Sequence, residues 1–157
     1  MKLSPLQLEA YFLTDLNFQA DLHHDPAKPI AFREDDLVVE TDVQPLPGAD
    51  RRWQVRLKIQ LQPKPQSNSP YTFSLTVVGF IWAAAQLPAD KLEPLVRTNG
   101  PSMLYGAARE MVRDLTARGP FPPLSLPSVS FLNQAQPPAE ATPQTQAQPS
   151  AKTEPAP

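Results

Sequence analysis

The chain predicts an α+β domain: a four-stranded antiparallel meander sheet covered by a short and a longer C-terminal helix, followed by a disordered tail. Three observations carry this. Residues Trp53 to Gln62 alternate strictly, with Trp53, Val55, Leu57, Ile59 and Leu61 on one side and Gln54, Arg56, Lys58, Gln60 and Gln62 on the other. That pattern marks an antiparallel strand with one buried and one wet face. Residues Ser102 to Arg118 place Leu104, Ala107, Ala108, Met111 and Leu115 on one helical stripe that stops at Gly119. Finally, Gln134 to Pro157 holds six prolines and no Leu, Ile, Val or aromatic residue. Such a segment cannot bury enough apolar surface to offset its conformational entropy.

The elements follow in order. Leu8, Tyr11, Leu13, Leu16 and Phe18 make the stretch from Tyr11 onward a first strand, ended by Asp21-Leu22-His23-His24-Asp25-Pro26. Leu37, Val39, Thr41 and Val43 alternate with Val38, Glu40 and Asp42 as a second strand. The cluster Pro45 to Asp50 is a turn, and the Trp53 strand follows it. Pro63 to Pro70 is a second turn cluster, after which Tyr71, Phe73, Leu75, Val77 and Ile81 line one face of a fourth strand. Its other face changes from Thr72, Ser74 and Thr76 to Val78, Phe80 and Trp82, so its far end needs a second covering partner. Gly79 within it suggests a bulge or a close backbone approach. Pro88 to Val96 predicts a short helix interrupted by Asn99-Gly100-Pro101. Ser102 is the expected N-cap of the longer helix, and Gly119 its left-handed C-terminal stop. The domain is expected over residues 1–133 and the tail over 134–157.

Composition narrows the function. The 157 residues carry a net charge of -2 and no cysteine, so disulfides and thiolate metal sites are excluded and no basic footprint for nucleic acid exists. The most apolar run, Val77 to Ala85, is about half the roughly 20 residues a membrane-spanning helix needs. A cytoplasmic protein without membrane insertion is the expectation. His23, His24 and Asp25 point apart on an extended segment and lack further histidines, so a solvated loop is expected there rather than a metal site. Glu34, Asp35 and Asp36 lack the ligand spacing of a calcium loop and read as a solvated charge run. Nucleotide-binding and nucleophile motifs are absent. The expectation is a non-enzyme with no cofactor and no metal.

One segment carries more. From Pro101 to Phe131 the amphipathic helix ends in Arg118-Gly119, followed by Phe121, Pro122, Leu124, Leu126, Val129 and Phe131, with Ala108-Arg109-Glu110 inside the helix. These residues resemble the C-terminal half of the SecB family of bacterial export chaperones. Tyr11 to Phe18 and the Gly79-Phe80-Ile81-Trp82 run resemble that family at pattern level, so the likeness spans roughly Leu8 to Phe131. It implies an ATP-independent chaperone that keeps unfolded preproteins or other non-native polypeptides competent for Sec-dependent export. It also implies a client groove between the sheet and the short helix, drawn from Phe18, Leu37, Val39, Val78, Phe80, Trp82, Leu87, Leu92, Leu95, Met103 and Tyr105. Gln86 to Gly100 would form an adjustable wall. Flexible Met, flat aromatics and exposed strand edges suit varied clients. Members of the family dock on the Sec translocation ATPase through acidic residues on the sheet. Asp15 matches one such position, whereas Gln19 and Ser74 are neutral where acids are typical. The resemblance leaves two other readings open, a chaperone serving a toxin–antitoxin pair and an interaction scaffold without chaperone turnover. Surplus apolar surface on a small sheet implies a homotetramer, a dimer of dimers.

Overall fold

The computed structural model describes residues 3–31 and 33–132. The tail expected over 134–157 lies outside them. Strands β1 (Leu6–Ala20), β2 (Leu37–Pro45), β3 (Arg52–Leu61) and β4 (Tyr71–Ala83) form one antiparallel sheet in the order β1-β4-β3-β2. The meander therefore runs through β2, β3 and β4 alone. β1 joins the far side of β4, so both β1 and β2 are edges and the long β1–β2 connection crosses the end of the sheet. β1 begins at Leu6, before the Tyr11 that the sequence suggests. Its register against β4 slips between Leu8 and Ala10 and again between Leu13 and Asp15. Those irregularities blur the two-residue period from which a strand is read.

One helix, α1 (Ala89–Thr116), covers one face of the sheet. The expected short and long helices are a single element that runs through Asn99-Gly100-Pro101. Packing overrides the local breakers. Gly100 and Pro101 are both buried, and a Cβ on Gly100 would lie 3.0 Å from a Val55 methyl, so the helix approaches β3 most closely where glycine allows it. Ser102 is accordingly not an N-cap: its hydroxyl donates back to the Thr98 carbonyl (3.1 Å), and Pro88 occupies the cap position.

The core lies between sheet and helix. Trp53, Val55, Leu57, Ile59 and Leu61 of β3 and Tyr71, Phe73, Leu75, Val77 and Ile81 of β4 are buried, as the alternation predicts. Leu92, Val96, Leu104, Ala108 and Val112 pack on them from α1. Gly79 sits opposite both Val55 and Tyr11 without a bulge; a Cβ there would come within 2.8 Å of Leu104. Of the two roles suggested for Gly79, close approach is the one it has.

Beyond α1 the proline-spaced segment is extended and seals the core edge with Leu124, Leu126 and Phe131. Three hydroxyls tether it. Tyr71 Oη lies 2.9 Å from the Phe121 carbonyl, Thr116 Oγ1 accepts the Leu124 amide at 2.9 Å, and Tyr105 donates to the Pro127 carbonyl at 2.7 Å. Gly119 is not left-handed. Among the described residues, those with positive φ are Gly48, Arg51 and Asn68, and α1 ends through Ala117 in right-handed geometry.

Candidate functional site

The sheet's edges and its open face are where binding surface remains. At the β2 edge, Leu37 and Val39 sit opposite Leu61 and Ile59 and turn toward the helix side, half-buried. Pro127 to Ser130 of the extended segment faces them across a cleft of about 600 Å³ that also takes in Arg33 and Glu34. The cleft thus has an apolar floor, a strand edge on one side and charged groups at one end. Tyr105 stands behind its far wall: the hydroxyl holds Pro127, and the ring meets Phe131 edge-on at 5.9 Å. Burial raises the Tyr105 pKa above its usual value, so the hydroxyl stays protonated and remains a donor.

The near wall depends on a residue that the sequence misassigns. Glu34 and Asp35 are exposed, but Asp36 is fully buried. Its Oδ1 accepts the Lys64 amide at 3.0 Å. Its Oδ2 accepts the Arg33 amide at 3.0 Å and the Ser67 hydroxyl. Burial alone would push the carboxyl pKa up; these three hydrogen bonds outweigh it and hold the group below the usual carboxylate range. A run of three acids looks solvated in sequence because nothing local reveals the donors that Lys64 and Ser67 bring from the β3–β4 loop.

The other expected groove residues do not converge on one surface. Val78, Phe80 and Trp82 lie on the open face of the sheet, opposite α1, where Phe12 joins them with its ring 6.4 Å from Phe80. Phe18 is on the helix side, half-buried against Tyr71 at 5.1 Å. Leu92 and Tyr105 are core residues, and Leu87, Leu95 and Met103 are partly buried against the core. The expected adjustable wall is largely α1 itself. Its approach is clamped by Arg51, which donates to the carbonyls of Ala84 and Leu87, each at 2.6 Å. A groove uniting all eleven residues would have to pass through the sheet. Asp15 is exposed on the open face opposite Thr76, and Gln19 and Ser74 share that face.

Among residues not singled out beforehand, β1 stands out. Tyr11, Leu13 and Leu16 are 42%, 44% and 42% exposed on the helix side of this edge, and Phe12 is 56% exposed on the open face. Leu13 and Leu16 join Met111 and Leu115 around an apolar recess of about 290 Å³. His23 is exposed, and His24 is half-buried with Nδ1 3.0 Å from the Asn68 carbonyl and its ring edge-on to Phe121. Among the described residues no helix is long and apolar enough to cross a membrane.

Comparison with known proteins agrees with this architecture. The model of the SecB family, described as preprotein translocase subunit SecB, matches residues 2–140. A protein-export protein SecB from Xanthobacter autotrophicus is 26% identical over 131 residues, covering 80% of each chain. One from Azorhizobium caulinodans is 34% identical over 96 residues, covering 61% of this chain and 59% of its own. Among solved structures, a Mycobacterium tuberculosis SecB-like chaperone in complex with a ChAD peptide from the HigA1 antitoxin superposes with a TM-score of 0.55 at 24% identity. That match covers 80% of this chain and 88% of the other.

Proposed function

The chain belongs to the SecB family, and from that premise we propose that it is an ATP-independent chaperone whose β2-edge cleft holds extended segments of unfolded or nascent polypeptides. The observation that carries the reading is the cleft itself. It sets an edge strand beside the apolar side chains of Leu37, Val39 and Val129. An extended client pairs its backbone with β2, which ignores sequence, and drops alternate side chains onto the apolar floor. Each CH₂ buried contributes about 0.8 kcal/mol, while ordering the client costs several kcal/mol. One cleft therefore binds weakly, and a long client that spans several subunits binds far better.

The assembly in this reading is a homotetramer, a dimer of dimers. Its support is β1, a 15-residue edge strand with exposed apolar side chains on both faces. Uncovered edges of this kind invite pairing with another chain. The clients are preproteins kept unfolded in the cytoplasm for the Sec ATPase. A second reading has the chain guarding an antitoxin. It draws on the solved SecB-like chaperone bound to an antitoxin peptide and on neutral Gln19 and Ser74 near Asp15.

The test is dilution of a denatured protein into buffer containing the full chain and no nucleotide. Near-stoichiometric suppression of aggregation is expected. No suppression overturns the reading in favour of a scaffold without chaperone turnover. Where suppression holds, binding to purified Sec ATPase or to an antitoxin peptide separates the two client assignments.

A further inference from the structure

The connection between β1 and β2 would be expected to hang loosely at the sheet's end, yet its last turn is sewn to the β3–β4 loop. The Ala31 amide donates to the Ser67 carbonyl at 3.0 Å, and the Gln62 amide donates to the Asp36 carbonyl at 2.9 Å. Between these two points sits the Asp36 carboxylate with its three donors, from Arg33, Lys64 and Ser67. Around it, Lys64 Nζ pairs with Asp35 at 3.0 Å on the surface, so the lysine's charge is directed to the neighbouring acid. A buried carboxylate held chiefly by hydrogen bonds from uncharged groups, with a smaller attraction to the Lys64 charge, is costly to keep and costly to lose, since its removal strands several polar groups at once.

That cost is spent at a specific place. Arg33 and Glu34 line the cleft, and Leu37 follows Asp36 directly on its floor. The opposite wall has its own tether, the Tyr105 hydroxyl on Pro127. The near wall is one short helical turn, Glu34–Asp36, leading into β2, and the far wall is the extended segment after α1, so each needs a fixed point. We infer that Asp36 is a positioning residue for client capture: its carboxylate fixes the Arg33–Leu37 wall of the cleft at the spacing an extended client segment requires. The inference rests on the client-binding reading above. Asp36 touches no client. It acts by keeping the capture-ready wall populated, because affinity falls in proportion as a binding-competent arrangement becomes a minority state.

The experiment uses the full chain and a reduced, alkylated and hence permanently unfolded lactalbumin as probe. Asp36→Asn and Ser67→Ala are compared with Val77→Ala, a core change at the sheet centre far from the cleft, at matched loss of denaturation midpoint. Asp36→Asn is expected to weaken capture about tenfold, the scale of one lost hydrogen bond to a charged group, at unchanged stoichiometry. Ser67→Ala, which removes one donor of three, should weaken it less, and Val77→Ala should leave it unchanged. Hydrogen exchange at the Arg33 and Lys64 amides should accelerate most in Asp36→Asn, less in Ser67→Ala, and stay unchanged in Val77→Ala. Equal weakening by Asp36→Asn and Val77→Ala reduces Asp36 to general stability and overturns the inference. So does unchanged capture when those amides exchange fast. If Asp36→Asn does not fold, unchanged capture by Ser67→Ala with faster exchange overturns it equally. If the unaltered chain captures no lactalbumin, the client-binding reading itself fails and takes the inference with it.

Discussion

The Tyr71 hydroxyl stands where the side chain of residue 119 would begin: a Cβ built on Gly119 lies 2.6 Å from Tyr71 Oη and 3.0 Å from the ring. That hydroxyl is already engaged. It is 3.1 Å from the Thr116 carbonyl, 2.9 Å from the Phe121 carbonyl and 3.2 Å from the Phe121 amide. Glycine is required here by crowding, not by a left-handed backbone. Gly119→Ala should therefore destabilise by about 1–3 kcal/mol, the scale of overpacking. Tyr71→Phe alone should cost about 0.5–1.5 kcal/mol for its hydrogen bonds. In the double variant the two costs should fall short of their sum, because the clashing oxygen is gone. Denaturant midpoints of the four chains check this; strict additivity would place the strain elsewhere.

Gly119 also shows how far the sequence could be read. The helix stop falls near it, and that is a local signal. The reason for the glycine comes from β4, 48 positions upstream, and leaves no local trace. The same division holds elsewhere. The buried faces of β3 and β4 were legible because each side chain's fate follows from a two-residue period. Pro101 hid the continuity of α1, since its cost is local while the burial of Gly100 against Val55 that offsets it is not. Leu37 and Val39 are legible as one side of an alternating strand. That they and Trp82 lie on opposite sides of the sheet depends on strand order, and alternation within single strands carries no information about that. Asp36 reads as a solvated acid for a similar reason, because the Lys64 and Ser67 donors that bury it come from a distant loop.

Asp36 makes stability pH-dependent in a predictable direction. Its folded pKa lies below the ordinary value of 3.8, through the hydrogen bonds from Ser67, Lys64 and Arg33 that outweigh burial. A depressed carboxylate contributes stability that is present above the unfolded pKa and is lost as pH falls through the folded one. The unaltered chain should therefore lose stability from about pH 5 downward, most steeply below 3.8. Asp25 is also depressed, by the Ala27 amide and Lys28, and contributes in the same window. Asp36→Asn should start from a lower midpoint at neutral pH and show a flatter decline on acidification. Parallel urea midpoints across pH 3 to 7 in the two chains would rule Asp36 out as the titrating group.

Light scattering checks the role proposed for β1. Leu13 and Leu16 are half-exposed on an edge strand beside Met111 and Leu115. Burying such side chains at a subunit interface contributes about 1.5–3 kcal/mol each. The unaltered chain should give a tetramer mass at micromolar concentration, and Leu13→Asp with Leu16→Asp should shift it to a smaller species that keeps its far-ultraviolet circular dichroism. A monomer mass for the unaltered chain would refute the assembly. An unchanged tetramer in the variant would move the interface away from β1.

The two faces of the sheet offer competing apolar surfaces, and capture measurements can choose between them. Leu37 and Val39 floor the cleft at the β2 edge, whereas Phe12, Val78, Phe80 and Trp82 share the open face, with Trp82 39% exposed. The cleft offers both apolar side chains and a strand edge. Val78, Phe80 and Trp82 offer side chains only, because β4 is paired on both sides by β1 and β3, and the β1 edge that carries Phe12 is the one assigned above to subunit pairing. A client gains backbone hydrogen bonds only at an edge, so the cleft should carry most of the affinity. Changing Leu37 and Val39 to Thr keeps strand propensity and removes apolar area; it should weaken capture of an unfolded probe about tenfold, the equivalent of roughly two buried CH₂ groups. Changing Phe12 and Trp82 to Thr should leave capture within about twofold, since neither side chain lines the cleft and losses below about 0.4 kcal/mol fall inside that range. Both chains must first be shown to match the unaltered one in assembly mass, because multivalent capture would otherwise fall for an unrelated reason. If the Phe12 and Trp82 variant loses capture and the Leu37 and Val39 variant retains it, clients lie across the open face, and the cleft is only the gap where the extended segment passes the sheet.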